Sequence, residues 1–282
     1  MLVPQIFLVL NYPYNTKTLA FFVRHTLVFI KTSIKIHRFY TPSRNIINAV
    51  SIGISKLREL IMGTISMKKL GGLSLIVGPV IALVCYFLQP GGMLVDAADP
   101  ADAMASLGAV WANTELAHIT GLVIPLGLIM LFFGIKSLQE TFHGGNGQSI
   151  TRYSVILGFI ATIAWVLSSA VGHVIAGLDP ALPSTVPTAG PLYALSLGLS
   201  NMGAVVFSLA ILTLSLGIST REGANKMMAM AISAVSVVLL VTSLIGAMDS
   251  SQLQTMNMIG GICFIIYTLW TITLGLEMLK NE

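Results

Sequence analysis

Residues 114–178 decide the reading. TELAHITGLVIPLGLIMLFFGI (114–135) and YSVILGFIATIAWVLSSAVGHVIAGL (153–178) are two long apolar runs, joined by the polar linker KSLQETFHGGNGQSITR (136–152). Each run reaches the roughly 20 residues that a helix needs to cross a hydrocarbon core about 30 Å thick. His118, near the start of the first run, and His173, near the end of the second, are almost equidistant from the middle of the linker. As antiparallel crossing helices, the two runs place both imidazoles at similar depth, toward one side of a bilayer.

Runs of the same kind lie at 70–88, 191–218, 227–247 and 256–279, which predicts an all-α, six-span membrane bundle occupying residues 67–282. Barrel strands would be shorter and would alternate polar with apolar residues. The composition agrees: 55% of the chain is hydrophobic and 9% charged, a balance that a soluble domain of this length could not carry without large exposed apolar patches.

The net charge of +4 hides a partition. Residues 1–66 hold eight basic side chains against the single acid Glu59, or +7; the remainder holds seven against ten, or −3. The first segment is also nearly free of Gly and Ala, with only Gly53, Gly63, Ala20 and Ala49, whereas both abound afterwards. Met67-Lys68-Lys69-Leu70 followed by an apolar run has the form of a membrane protein's start. We therefore expect 1–66 to be an upstream extension, with the working chain starting at Met62 or Met67; a basic targeting or membrane-surface segment is the alternative. No groove-reading motif accompanies the basic residues, so no nucleic-acid partner is expected.

Lys68, Lys69, Lys136, Arg152, Arg221, Lys226 and Lys280 fall on one side of the six-span layout, while loops 93–113, 179–190 and 249–255 contain no Lys or Arg. The positive-inside rule then puts both termini in the cytoplasm, in a cytoplasmic membrane. The longest loop contains Asp99-Pro100, which reads as a helix N-cap followed by proline at the first helical position, with Asp102 in the first turn. Met104, Leu107 and Trp111 share a face of the short helix that follows, which suits a segment on the membrane surface with the indole at headgroup level. Gly134, Gly217 and Gly275 end the second, fourth and sixth spans alike. Superposing them sets His118 opposite Asn201, as in a threefold parallel hairpin repeat.

Ionisable and polar groups inside a span are costly, so each one marks a possible site. Glu115 and His118 are three apart on one helix face; Trp165, Ser169 and His173 share another; Asn201, Asp249 and Asn257 lie near the outer ends of later spans. Converging in one bundle, they would line an outward-facing pocket that binds or moves a small solute. In a second reading His118 and His173 ligate haem iron or a divalent metal, with Glu115 orienting His118. A third class is an accessory subunit, with Ala229, Ser233 and Ser236 packed on a partner helix or on a second copy of the chain. The plainer alternative is that side chains near helix ends simply reach headgroups and water.

The remaining motifs carry less. His143-Gly-Gly-Asn-Gly-Gln-Ser149 lacks the Lys of a phosphate loop and reads as a turn. Cys85 and Cys263 could meet across two spans, although small buried thiols are the commoner outcome. The many methionines show no Met-x-x-Met ladder. No nucleophile, base and orienter trio is present to support an enzyme.

Overall fold

Backbone N–H and C=O groups find no water in hydrocarbon, so long apolar runs satisfy them within helices. In the computed structural model, which describes residues 66–221 and 225–280, all six expected runs do so. In chain order the helices are α1 (Met67–Leu88), α2 (Ala103–Ala112), α3 (Thr114–Glu140), α4 (Gln148–Ala176), α5 (Thr185–Ser219), α6 (Lys226–Met248) and α7 (Leu253–Lys280), with a 3-10 turn at Ser250–Gln252. All but α2 are long and apolar enough to span. No strand occurs among the described residues. The expectations for segment 1–66, including a start at Met62, lie outside the described residues save for Ser66, whose hydroxyl caps α1 by accepting the Lys69 amide at 3.0 Å.

The fourth span begins earlier than its hydropathy indicates, at Thr185 rather than Pro191. Pro187 falls in the first turn, where amides have no helical partner, and Pro191 is carried inside the helix. The stretch 185–190 holds only one large apolar side chain besides proline, Val186, so the apolar run starts late although the helix does not.

Each span packs against its neighbours in sequence, and α7 packs back on α1, closing the six into a ring. Glycine sets the tightest seams. A Cβ on Gly78 would lie 2.7 Å from the Gly127 carbonyl oxygen, and one on Gly275 only 2.5 Å from that of Gly72. The α1–α3 and α1–α7 seams therefore bring backbone against backbone. Of the three aligned glycines, Gly134 meets Leu75 of α1 and Gly217 meets Thr151 of α4, each on its hairpin partner; Gly275 meets α1 instead of α6, because ring closure interposes the first span.

The centre is filled by side chains, among them Leu131, Phe207, Ile211, Leu214, Tyr267 and Trp270. Small hydroxyls are buried with them: Ser154, Ser208, Ser236 and Thr271 each donate to a carbonyl three or four residues back, so none needs water. Leucines and isoleucines such as Ile119, Leu122, Leu126 and Ile129 of α3 point outward. This arrangement suits lipid, where association rests on close packing of small residues rather than on burying apolar surface. Ala229, Ser233 and Ser236, expected to meet a partner helix, are buried inside the chain; Ser233 Oγ lies 2.7 Å from Ser215 Oγ of α5.

The loop before α3 departs from expectation in its helix cap. The N-cap of α2 is Asp102, accepting the Met104 and Ala105 amides at 3.0 Å each. Asp99 accepts the Ala101 amide at 2.9 Å in a local turn, which places Pro100 ahead of the helix. Helix α2 docks one face on the bundle and leaves the other exposed: Leu107 is fully buried, Trp111 Nε1 donates to the Ile175 carbonyl at 3.2 Å, and Met104 stays exposed. The Ile175 carbonyl also accepts the Leu178 amide at 3.1 Å, so the indole N–H is a second donor on an oxygen with two lone pairs. On the α5 side, the Tyr193 hydroxyl sits 2.9 Å from the Pro100 carbonyl oxygen and 3.0 Å from Ser106 Oγ.

Candidate functional site

His118 lies one turn into α3, and His173 three residues before the end of α4. Register brings them together. Phe132 is fourteen residues beyond His118 and Phe159 fourteen before His173, so one antiparallel alignment serves both pairs, about 21 Å apart along the helices. The phenyl centroids lie 5.4 Å apart. At the other end of the seam the imidazole nitrogens His118 Nδ1 and His173 Nδ1 are 3.1 Å apart, with ring centroids 4.4 Å apart and planes at 64°.

Contact at that distance is a hydrogen bond, which needs one ring to donate and the other to accept. Two neutral imidazoles in this bond therefore hold opposite tautomers. One presents a bare Nε2 acceptor, the other an Nε2–H donor. Neither Nε2 has a hydrogen-bond partner among the described residues, and both side chains are half-buried. Glycines seat the rings: a Cβ on Gly121 would lie 3.8 Å from His173 Cβ, and one on Gly177 would lie 3.9 Å from His118 Cε1.

The other residues singled out from the sequence are spread over several seams. Glu115 is exposed in the first turn of α3 and forms no hydrogen bond or ion pair among the described residues, so His173 and not Glu115 orients His118. Trp165 belongs to the core, its Nε1 donating to the Ser200 carbonyl at 3.1 Å and its ring 4.9 Å from that of Phe207. Ser169 turns its carbonyl oxygen toward Gly121, and its hydroxyl is unbonded among the described residues. Asn201 is half-buried on α5 and forms no hydrogen bond among the described residues; fourteen residues further on, Ser215 bonds Ser233 of α6. Asp249 ends α6 and caps the turn after it, accepting Ser251 N at 3.0 Å and Ser251 Oγ at 2.7 Å. Asn257 is half-buried near the start of α7. Cys85 and Cys263 are both free thiols.

A polar contact that the sequence reading missed lies one residue from one that it chose. Ser168 Oγ donates to the Ser196 carbonyl at 2.8 Å, and Ser196 Oγ sits 3.1 Å from the Ser168 carbonyl, tying α4 to α5. Ser168 is three residues after Trp165 and shares its face; that spacing was the available signal.

No group of three or more metal-ligating side chains occurs among the described residues. A bis-histidine haem needs its two axial nitrogens on opposite sides of a flat macrocycle. Imidazoles already in contact leave no room for one between them.

The fold defines an integral, multi-pass membrane protein of the all-α class. No protein family, curated protein or solved structure matches the chain.

Proposed function

We propose that this protein binds or moves a small polar solute at the His118–His173 seam, with the histidine end of the bundle directed away from the cytoplasm. The observation that carries the reading is the pair of half-buried imidazoles bonded through Nδ1, whose Nε2 atoms are left as one acceptor and one donor. A solute with a matching donor and acceptor, such as an amide, an acid or an alcohol, would satisfy both. Polar groups at membrane depth carry a cost unless they are partnered or used. The absence of Lys and Arg from the three loops at that end supports the orientation.

The test is a thermal-shift screen of the purified full chain in detergent against small amides, acids, alcohols and amines. At least one class should raise Tm in the wild type and lose that effect in the folded double variant His118→Ala/His173→Ala. A flat screen, or a shift that the double variant keeps, would overturn the reading.

A further inference from the structure

We infer that the same histidine pair is a binding site for a divalent transition-metal ion, held by the two Nδ1 atoms. The inference uses the placement of the pair at the α3–α4 seam but not a solute at Nε2, so it stands or falls separately from the reading above.

Geometry carries it. Two imidazole nitrogens bound tetrahedrally to zinc at about 2.0–2.1 Å lie about 3.3 Å apart along the edge of the tetrahedron. The observed separation is 3.1 Å, on two helices in fixed antiparallel register. The pair is thus set for an ion at the apex of a shallow triangle, with a shift of a few tenths of an ångström. Ring planes at 64° let both Nδ1 lone pairs turn toward one point. Gly121 and Gly177 leave room beside the histidines, since even an added Cβ at either would meet them only at ordinary contact distance.

The ligand chemistry selects the ion. Neutral imidazole favours zinc, copper, nickel and cobalt over magnesium and calcium, which take oxygen donors. On binding, the ion takes the place of the proton shared between the Nδ1 atoms, and that proton passes to the donor ring's own Nε2 through solvent. Both rings then carry Nε2–H, and no redox change is involved. Two protein ligands leave two tetrahedral positions for water or an anion, so the site is open and exchangeable, unlike a closed structural zinc centre. The charge at this end helps: Asp96, Asp99, Asp102, Glu115, Asp179 and Asp249 lie in or beside its loops, which hold no Lys or Arg, and such a field concentrates cations.

The experiment titrates the full chain in detergent with Co2+ alone, following the visible absorption of the tetrahedral ion, and then displaces it with Zn2+. One equivalent should bind per chain, and His118→Ala and His173→Ala should each abolish the band. His143→Ala, at the opposite end of the bundle, should leave it unchanged. If the alanine variants do not fold, His118→Gln and His173→Gln keep a hydrogen-bonding side chain without an imidazole ligand. X-ray absorption of the zinc-loaded wild type should show two imidazole nitrogens at about 2.0–2.1 Å. No stoichiometric binding by the wild type, or binding retained by a folded double variant, would overturn the site. If an organic solute stabilises the protein while metals do not bind, the metal site alone fails; if metals bind and no solute does, only the solute reading fails.

Discussion

Helix α3 is gripped on two sides in different ways. Toward α1 the backbones touch, since a Cβ on Gly127 would lie 2.7 Å from the Gly78 carbonyl oxygen and 2.8 Å from the Ala82 amide nitrogen. Toward α4 side chains stand between the helices, phenyl on phenyl at one end and imidazole on imidazole at the other. The first seam has no adjustable part, because backbone atoms of a packed helix cannot rotate away. The second is built from groups that turn about χ1 and χ2 and carry exchangeable protons. Side chains can rearrange along the second seam without moving the backbone contact of the first.

The sharpest way to break that contrast is a pair of glycine substitutions on α3 itself. Gly127→Leu should cost about 1–3 kcal/mol or more through overpacking, read as loss of monodisperse protein after extraction. Gly121→Ala meets only ordinary contacts at 3.7–4.0 Å and should be neutral or stabilising by about 0.5–1 kcal/mol, because alanine is the better helix former. Equal behaviour of the two would mean that the seams do not differ.

A double-mutant cycle on His118→Ala and His173→Ala should next give a coupling of about 0.5–1.5 kcal/mol, the net value of one hydrogen bond. Simple additivity in denaturation would show that the rings do not act as a pair. Trp111→Phe keeps most of the buried ring but leaves the Ile175 carbonyl without the indole donor. It should lower stability by about 1 kcal/mol and speed hydrogen exchange in α2 before the spans are affected. The smallest effect belongs to Lys136→Ala: its ion pair with Glu140 is half exposed, at 51% and 49%, and pairs of this kind contribute about 0.3–0.5 kcal/mol. A larger loss in thermal melts would place Lys136 in a role that the structure does not give it.

The spans were legible because a bilayer imposes length and apolarity on any helix that crosses it. The similar depth of His118 and His173 was legible too, since antiparallel neighbours at nearly equal distance from their linker arrive at nearly one level; that their rings meet was not. What the sequence left hidden was rotation about each helix axis. In a soluble protein the hydrophobic stripe fixes that angle; here lipid and core are equally apolar, and Ser, Gly and Ala fit either side. Hence Ser168 and not Ser169 binds α5, and Asn201 forms no hydrogen bond with His118 although its depth aligned it there. The cap at Asp102 was missed for a different reason, because Asp-Pro serves a local turn as readily as a helix start.

The ring has a consequence for how the chain is made. Helix α1 offers Gly72 to a partner, α7, that is synthesised after every other span, so this contact cannot form while the intervening helices are emerging. Hairpins can assemble as they enter the bilayer, yet the first span keeps one flank against lipid throughout. The join between α1 and α7 cannot form before α7 is made, and damage to Gly72 or Gly275 would appear there as an open horseshoe with its hairpins intact.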